Sequence, residues 1–225
     1  MPKRTLISWL IATLVCCGSL VQAETLTGKV SIKTPIRKRV KARKSRPLRQ
    51  AGDKRRYADK SKSLEKQRDE VRSVVVWVLD APTRKKQTPA TMLQQDRTFI
   101  PFVLPVTVGS EVRFPNNDKI YHGVYSESKA KPFELPQYAD GESRSITFEK
   151  PGVIELFCHI HAHMNAYILV LENSYFTQPD EQHRYQIPEL PPGKYRVKAW
   201  HPKLGSKIES VTIEKGRDSV LDFVL

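Results

Sequence analysis

The chain has 225 residues, of which 39% are hydrophobic and 28% charged, and its formal net charge at pH 7 is +14. This length allows one large or two small domains, and the apolar content is enough for real hydrophobic cores, which excludes a chain too polar to fold. The positive charge is concentrated in one segment, because residues 33–72 hold 17 basic and 5 acidic residues while the rest of the chain after residue 23 holds 19 of each.

Residues 1–23 have the pattern of a secretory signal peptide. A basic start is followed by the apolar run 5–15, and small residues precede a cleavage site after Ala23. The apolar run is too short to span a bilayer comfortably. We therefore predict a periplasmic or otherwise exported protein. Lipidation at Cys16 or Cys17 is the competing interpretation, and the bulky residue before Cys16 disfavours it.

Cleavage after Ala23 leaves Cys158 as the single thiol of the mature chain, which excludes an intrachain disulfide. A lone thiol in an oxidising compartment is a hazard unless it is buried or bound to a metal. A buried, inert cysteine is the simpler interpretation, but it does not explain the histidines that surround Cys158 in the sequence.

The first predicted strand covers residues 25–33, where Leu26, Val30 and Ile32 are the candidate inward residues. Residues 34–70 then interrupt the pattern with a basic segment that has almost no apolar side chains. Such a segment cannot bury enough surface to repay its ordering entropy, so we predict a disordered or transiently helical insertion.

Polybasic segments bind anionic partners by charge alone. Residues 33–72 therefore have two interpretations: a solvated linker without a specific partner, or a binding segment for an anionic envelope surface or an acidic protein. Nucleic acid is not expected as a partner, because the chain is predicted to be exported.

A run of β-branched residues at 71–79 predicts a buried strand. From residue 98 onward, short apolar or alternating segments are separated by Pro, Gly and Asn turns, a pattern typical of a β-sandwich. The predicted strands of this part are 98–105, 106–108, 111–114, 143–148, 153–158 and 166–171.

Residues 157–164, with the sequence FCHIHAHM, bring one thiol, three imidazoles and one thioether into eight residues. Thiolate and imidazole ligands suit copper and zinc, and one Cys, two His and a weakly bound Met form the ligand set of a type 1 (blue) copper centre. Cys158 is predicted at the end of one strand and Met164 just before the next, so the loop between them can direct its ligands at one ion. His122, from another loop between strands, can supply a further ligand.

This arrangement resembles the cupredoxin family, which includes plastocyanin, azurin and amicyanin, over residues 91–172. The resemblance lies in FVLPVTVGSEVRFPNND, in a His shortly after that Asn/Asp loop, and in Cys-x-x-His-x-x-Met before an apolar strand. It implies a Greek-key sandwich that holds one type 1 copper ion through His122, Cys158, His161 and Met164. The segments HGVYSES and FCHIHAHM are also similar to those of exported cupredoxin-like methylamine utilization proteins.

The sequence departs from the cupredoxin pattern at two positions. Gly123 follows His122 where many members have Asn, and Ile160 stands where Pro often precedes the second His. The two remaining histidines of the motif are predicted to be exposed loop residues: His159 projects outward by strand alternation, and His163 lies near the mouth of the site. The alternative is that one of them helps acquire copper or shifts the site toward a zinc-like ligand set.

After residue 173 the chain continues with predicted strands at 194–200, 210–213 and 219–225, preceded by a turn-rich stretch at 186–193. The pattern LPPGKYRVKAWHP resembles the second half of carboxypeptidase-regulatory or prealbumin-like modules, and TGKV with VVVWVLDAP resembles their first half. The resemblance implies an Ig-like sandwich of residues 25–82 and 174–225, into which a cupredoxin domain of residues 90–173 is inserted. Two consecutive domains are the competing arrangement.

The sequence therefore predicts an all-β, exported type 1 copper protein that carries single electrons between envelope redox partners and is not an enzyme. The redox protein partner is not identified by the sequence. One alternative is a periplasmic protein that binds copper for storage or delivery. A second alternative is a metal-free surface adhesion module.

Overall fold

The structure of the protein is a computed structural model that describes residues 24–33, 70–84 and 89–225. The predicted signal peptide, residues 1–23, and nearly all of the predicted basic insertion, residues 34–69, lie outside the described residues. In the part of the chain that is described, no helix is long and apolar enough to cross a membrane.

The regular secondary structure of the described residues is almost entirely β-strand, which confirms the predicted all-β fold class. Runs of β-branched and aromatic residues bounded by Pro and Gly explain this preference. The strands along the described residues are β1 (Glu24–Ser31), β2 (Val75–Val78), β3 (Ala90–Thr91), β4 (Leu93–Gln95), β5 (Thr98–Ile100), β6 (Val103–Thr107), β7 (Ser110–Pro115), β8 (His122–Ser126), β9 (Phe133–Tyr138), β10 (Ser143–Phe148), β11 (Gly152–Cys158), β12 (Asn165–Leu171), β13 (Phe176–Thr177), β14 (Arg184–Leu190), β15 (Gly193–His201), β16 (Gly205–Ile213), β17 (Ser219–Val220) and β18 (Phe223–Val224).

Strands β3 to β12 carry the Cys/His motif and pair among themselves. Five of them form a sheet in the order β6-β12-β11-β8-β9, three form a sheet in the order β10-β7-β3, and β4 pairs with β5. Alternating inward residues of the two larger sheets fill one core, in which Phe114, Phe148, Leu156 and Ile168 are completely buried. The strands that carry His122 and Cys158, β8 and β11, are therefore neighbours in the larger sheet of a β-sandwich.

The other strands form two further sheets, with members from both ends of the described chain. Strand β1 pairs with β14, β17 and β18, and β2 pairs with β13 and β15. The inward side chains of these sheets form a second core, which includes Leu26, Val76, Tyr185, Val197 and Phe223.

A third apolar cluster joins the two cores. Val75 of β2, Val103 of β6 and Leu169 of β12 are buried in it. The rings of Tyr167 and Trp200 pack beside it with their centroids 6.3 Å apart. The outer face of β6 and β12 is thereby covered, whereas the metal-binding motif lies at the ends of β8 and β11.

Several predicted strand boundaries are wrong. Of the predicted strand 71–79, only Val75–Val78 is a strand. The predicted strand 98–105 is two strands, Thr98–Ile100 and Val103–Thr107, because Pro101 between them cannot donate a ladder hydrogen bond. The predicted strand 219–225 is likewise two short strands, β17 and β18.

The proline-rich stretch 186–193 predicts turns, but most of it belongs to strand β14, Arg184–Leu190. This strand lies at the edge of its sheet, next to β1. An edge strand tolerates Pro188 because one of its sides makes no ladder hydrogen bonds.

Candidate metal centre

Three of the four predicted ligands come from two neighbouring strands and the loop that follows one of them. Cys158 is the last residue of β11, and His122 is the first residue of β8, so His122 lies at a strand end and not in the predicted loop. The antiparallel register places Cys158 opposite Val124. Alternation along β11 turns Cys158 to the same core as Leu156, and His161 lies in the loop between β11 and β12.

Two backbone hydrogen bonds close this ligand loop. The amide of Cys158 donates to the carbonyl oxygen of Met164 at 3.2 Å, and the amide of Met164 donates to the carbonyl oxygen of His161 at 2.9 Å. Residues 159–163 therefore form a short loop across the ends of β11 and β12, which turns His161 back toward Cys158.

His122, Cys158 and His161 converge at this end of the sandwich, with candidate ligand atoms that all lie within 4.8 Å of one another. Nδ1 of His122 is 3.6 Å from Sγ of Cys158, Nδ1 of His161 is 3.7 Å from the same Sγ, and the two Nδ1 atoms are 3.2 Å apart. Ligand atoms that lie about 2.0–2.3 Å from a shared ion are roughly 3.2–3.7 Å apart when the angles between them are between tetrahedral and trigonal. The triangle therefore fits a single metal ion.

The carboxylate of Asp118 fixes the orientation of His122, which is completely buried. Oδ2 of Asp118 lies 2.7 Å from Nε2 of His122. A carboxylate only accepts hydrogen bonds, so Nε2 carries the proton and the lone pair of the neutral ring is on Nδ1. Nδ1 is the atom that faces Cys158 and His161. His122 therefore turns a nitrogen lone pair toward the position that a metal ion would occupy.

Asp118 is held in turn by two backbone amides. Those of Asp96 and Arg97 donate to its carboxylate oxygens at 2.7 and 2.9 Å. Burial alone would raise the pKa of Asp118, but the hydrogen bonds from Arg97, His122 and Asp96 outweigh it and hold the pKa below the ordinary 3.8. Asp118 is therefore a carboxylate at neutral pH.

The two amides belong to a tight turn between β4 and β5. Asp96 and Arg97 have φ angles of 53° and 55°, the left-handed conformation of a two-residue type I′ hairpin. Glycine adopts it freely and Asn or Asp tolerate it, whereas Arg97 is strained there. The turn directs two successive N–H groups at one carboxylate, in the manner of backbone anion-binding nests.

Asn116, which is completely buried, orders the segment between β7 and β8. Its Oδ1 accepts a hydrogen bond from the amide of Asp118 at 2.9 Å. Its Nδ2 donates to the carbonyl oxygens of Ile120 at 2.9 Å and Tyr138 at 3.0 Å. All three bonds are to backbone atoms, so they fix the path of the chain that leads to His122.

The electrostatic surroundings of His161 favour its neutral form. Desolvation is the largest cause that lowers the pKa of His161 below its ordinary value of 6.5, and the nearby charge of Arg97 acts in the same direction, whereas Asp118 opposes them. A neutral imidazole has a free lone pair for a metal ion. His161 is partly exposed, so it is the member of the triangle that reaches the surface.

Met164, the fourth predicted ligand, is 1% exposed and packs in the core cluster that includes Cys158. Its backbone is tied to Cys158 and His161 by the two loop hydrogen bonds. The structure thus places Met164 in the apolar floor under the ligand loop. Its role as a weak axial ligand stays a prediction.

The two other histidines of the motif lie outside the triangle. His159 is on the outer face of the sheet, and its ring stacks on that of Tyr125 with a centroid distance of 4.6 Å. His163 is exposed, and its ring centroid is 6.1 Å from that of His161. These two histidines are therefore candidates for supporting roles, not for ligands within the triangle.

One further histidine, His201, is remote from the motif in the sequence. His201 is buried, and its Nδ1 accepts hydrogen bonds from the amides of Lys203 and Leu204 at 3.1 and 3.2 Å. Desolvation, with a smaller contribution from the charge of Lys203, lowers the pKa of His201 to about 4. His201 therefore has a structural role.

The sequence pattern does not single out Asp118 or Asn116 as site residues, because Asn and Asp are common in loops for their backbone preferences alone. The sequence nevertheless contains a signal for Asp118. A metal-binding histidine normally donates its second ring N–H to a carboxylate or carbonyl, and Asp118 lies four residues before His122.

No protein-family model matches this sequence, and no curated protein matches it. Solved structures with some similarity include a copper-containing nitrite reductase from Thermus scotoductus SA-01, at 29% identity over 44% of this chain and 26% of that one, with a TM-score of 0.37. A purple cupredoxin from Nitrosopumilus maritimus is 22% identical over 36% of this chain and 99% of that one, with a TM-score of 0.34. Amicyanin from Paracoccus versutus is 16% identical over 43% of this chain and 97% of that one, with a TM-score of 0.35.

This chain thus spans about a quarter of the nitrite reductase and nearly all of the two small proteins. Similarities this low do not assign the chain to a family.

Proposed function

We propose that this protein is a cupredoxin-like copper protein that carries single electrons. The observation that supports this most strongly is the triangle of His122 Nδ1, Cys158 Sγ and His161 Nδ1, with sides of 3.6, 3.7 and 3.2 Å. Two imidazoles and one thiolate in a trigonal set are the strong ligands of a type 1 copper site.

Copper bound in the triangle would supply one-electron chemistry, because the same ligands accept both Cu(I) and Cu(II). The protein contributes a frame that holds the ligand geometry constant. His122 and Cys158 lie on paired strands, and Asp118 orients His122. Met164, which is buried beside Cys158, would add a weak thioether ligand. A constant geometry keeps the reorganisation cost of electron transfer low.

Burial favours a carrier over an enzyme. His122 and Cys158 are buried, and His161 is partly exposed. Electrons can pass through the exposed edge of this imidazole, whereas a metal enzyme needs an open coordination position for its substrate. We therefore propose that the protein transfers electrons and does not itself catalyse a reaction.

We further propose that the protein is exported, and that it exchanges electrons with a redox protein in the envelope. The basic residues 33–72, most of which lie outside the described residues, are proposed to bind an anionic envelope surface or an acidic protein and not nucleic acid. Deletion of residues 34–70 should then reduce binding to vesicles with anionic lipid at low salt. Unchanged binding would refute the role of this segment.

We also propose that the copper-binding sandwich, residues 90–173, is inserted into a second sandwich of residues 25–82 and 174–225. The pairing of β1 and β2 with strands after residue 173 supports this arrangement. Removal of residues 90–173 with a short linker in their place should leave a folded remainder. A remainder that fails to fold would argue for mutual dependence of the two sandwiches.

Storage or delivery of copper is the second candidate function. The exposed ring of His163, 6.1 Å from that of His161, favours it because His163 could pass an ion to or from the site. A redox titration of protein loaded with one equivalent of copper separates the candidates. A carrier keeps its copper through repeated one-electron cycles, whereas a storage or delivery protein yields Cu(I) to a chelator without a reversible redox step. Failure to bind one equivalent of copper would refute both functions.

A further inference from the structure

Gly123 and His159 face each other at the end of the ladder between β8 and β11. The register pairs Cys158 with Val124, so the next position brings His159 opposite Gly123. Gly123 directly follows the proposed ligand His122 in the sequence, and His159 directly follows the proposed ligand Cys158. A contact between them therefore joins the two ligand-bearing strand ends.

The ring of His159 fills the space that a side chain at position 123 would take. A Cβ atom on Gly123 would lie 2.8 Å from Cδ2 of His159, 3.0 Å from the carbonyl oxygen of Leu135 and 3.3 Å from the amide nitrogen of Gln137. Gly123 has no left-handed φ angle. Packing, and not backbone conformation, therefore requires glycine at this position.

Two more contacts fix the ring of His159. It stacks on the ring of Tyr125 with a centroid distance of 4.6 Å and an interplanar angle of 25°, and its Nε2 is 3.4 Å from Oε1 of Glu134. The side chain of Glu134 is 70% exposed, so the ring stack contributes more than the charge pair. Tyr125 lies on β8 and Glu134 on β9, and the ring thus connects the end of β11 to both strands.

We propose that His159 is a positioning residue of the metal centre, whose ring packs over Gly123 and holds the strand ends that carry Cys158 and His122 at the spacing the site requires. The last backbone pair between β8 and β11 is that of Cys158 with Val124. Beyond this pair, the ring of His159 packs on Gly123, the neighbour of His122, and so extends the contact between the two strands. The sequence alone predicts that His159 is an exposed loop residue and does not reveal this packing role. The inference rests on the proposed copper function only for the identity of the ion.

Cu(I) affinity of the mature full-length chain, measured by competition with a chromogenic Cu(I) chelator, tests this role. We expect His159→Ala to weaken Cu(I) binding about 10- to 100-fold, the range typical of residues that orient metal ligands. His159→Phe keeps a flat ring without a nitrogen ligand and should bind Cu(I) within about threefold of the unchanged protein. Val153→Ala is the matched control and should have no effect, because Val153 is an exposed residue of β11 that alternation places on the same side of the sheet as His159.

Gly123→Ala tests the same contact from the other strand. The added methyl group displaces the ring of His159, so Cu(I) binding should weaken in the same direction. The double variant Gly123→Ala/His159→Ala should cost less than the sum of the two single variants, because both changes break one contact. Additive losses would contradict the proposal.

Two affinity results would overturn the positioning role. One is binding by His159→Ala within about threefold of the unchanged protein. The other is an equal loss in His159→Phe and His159→Ala, since that result would show that the imidazole nitrogens, and not the packing of the ring, support Cu(I) binding.

Amide hydrogen exchange of the metal-free protein separates this inference from the proposed function. His159→Ala should accelerate exchange about tenfold at the amides of residues 123–125, the part of β8 that faces the end of β11, whether or not the protein binds copper. Unchanged exchange would overturn the positioning role. An unchanged protein that binds no Cu(I) would instead refute the proposed function.

Discussion

Replacement of Asp118 by asparagine shows how strongly the site depends on the carboxylate that orients His122. The carboxylate accepts hydrogen bonds from Nε2 of His122 at 2.7 Å and from the amides of Asp96 and Arg97 at 2.7 and 2.9 Å. Asparagine has nearly the same shape but only one acceptor oxygen, and its NH₂ group would face at least one of these donors. Asp118→Asn therefore breaks the network without leaving a cavity.

The size of the effect follows from the bonds that are lost. A buried donor without a partner costs about 1–3 kcal/mol. Loss of a residue that orients a metal ligand costs about 10- to 100-fold in affinity, or roughly 1.4–2.7 kcal/mol. We expect the free energy of unfolding of the metal-free protein to fall by about 1–3 kcal/mol and Cu(I) binding to weaken by that factor.

Urea unfolding of the metal-free protein and Cu(I) competition measure the two losses separately. The exposed residue Asp140 provides a control, because Asp140→Asn makes the same chemical change away from this network. Cu(I) binding by Asp118→Asn within about threefold of the unchanged protein, with unfolding free energy within about 0.5 kcal/mol, would refute the role assigned to Asp118.

Three further predictions concern stability. The pKa of His201 in the folded protein, about 4, is below its ordinary value of 6.5, so the unfolded state binds a proton first as the pH falls. The contribution of His201 to the free energy of unfolding is therefore complete above about pH 6.5 and declines by about 3 kcal/mol toward pH 4. His201→Asn should remove this part of the pH dependence in urea unfolding, and an unchanged slope would contradict the assignment. Arg97→Gly relieves the left-handed strain of the β4–β5 turn and should raise the unfolding free energy by about 0.5–1 kcal/mol, whereas a loss would show that the side chain of Arg97 matters more than its backbone. Ile154→Ala, in the core of the sandwich that carries the site, should lower the midpoint of thermal unfolding and cost about 2–5 kcal/mol, and a cost below about 1 kcal/mol would contradict its burial.

The sequence predicts the strands that have strong alternation or clear turns. The predicted strand 143–148 agrees with β10, and predicted strands 153–158 and 166–171 differ from β11 and β12 by one residue at the start. These strands combine β-branched inward residues with Pro/Gly turns, so local preference and burial agree.

Strands with weak local signals are missed. Strands β8 and β9, His122–Ser126 and Phe133–Tyr138, contain Gly, Glu and Pro, which are poor strand formers on their own. Pairing with β11 and with each other holds them extended. Such long-range pairing leaves little trace in a local sequence window.

The Cys/His motif locates the site from sequence because its residue types are uncommon together. Spacing does not reveal what supports the site. Asp118 acts through a turn about twenty residues earlier in the chain, Asp96–Arg97, and His159 acts through the space left by Gly123. Both relations depend on contacts between strands that are distant in sequence, and the fold alone brings them together.

The visible absorption spectrum of the copper-loaded protein shows directly whether Cys158 binds copper in a type 1 site. A thiolate that binds Cu(II) in a trigonal site with two imidazoles gives an intense charge-transfer band, so the oxidised protein should be strongly coloured and lose its colour on reduction. Cys158→Ser should load without this band, whereas His163→Ala should keep it. A protein that binds one equivalent of Cu(II) through an intact Cys158 but shows no such band would contradict the assignment of a type 1 copper site.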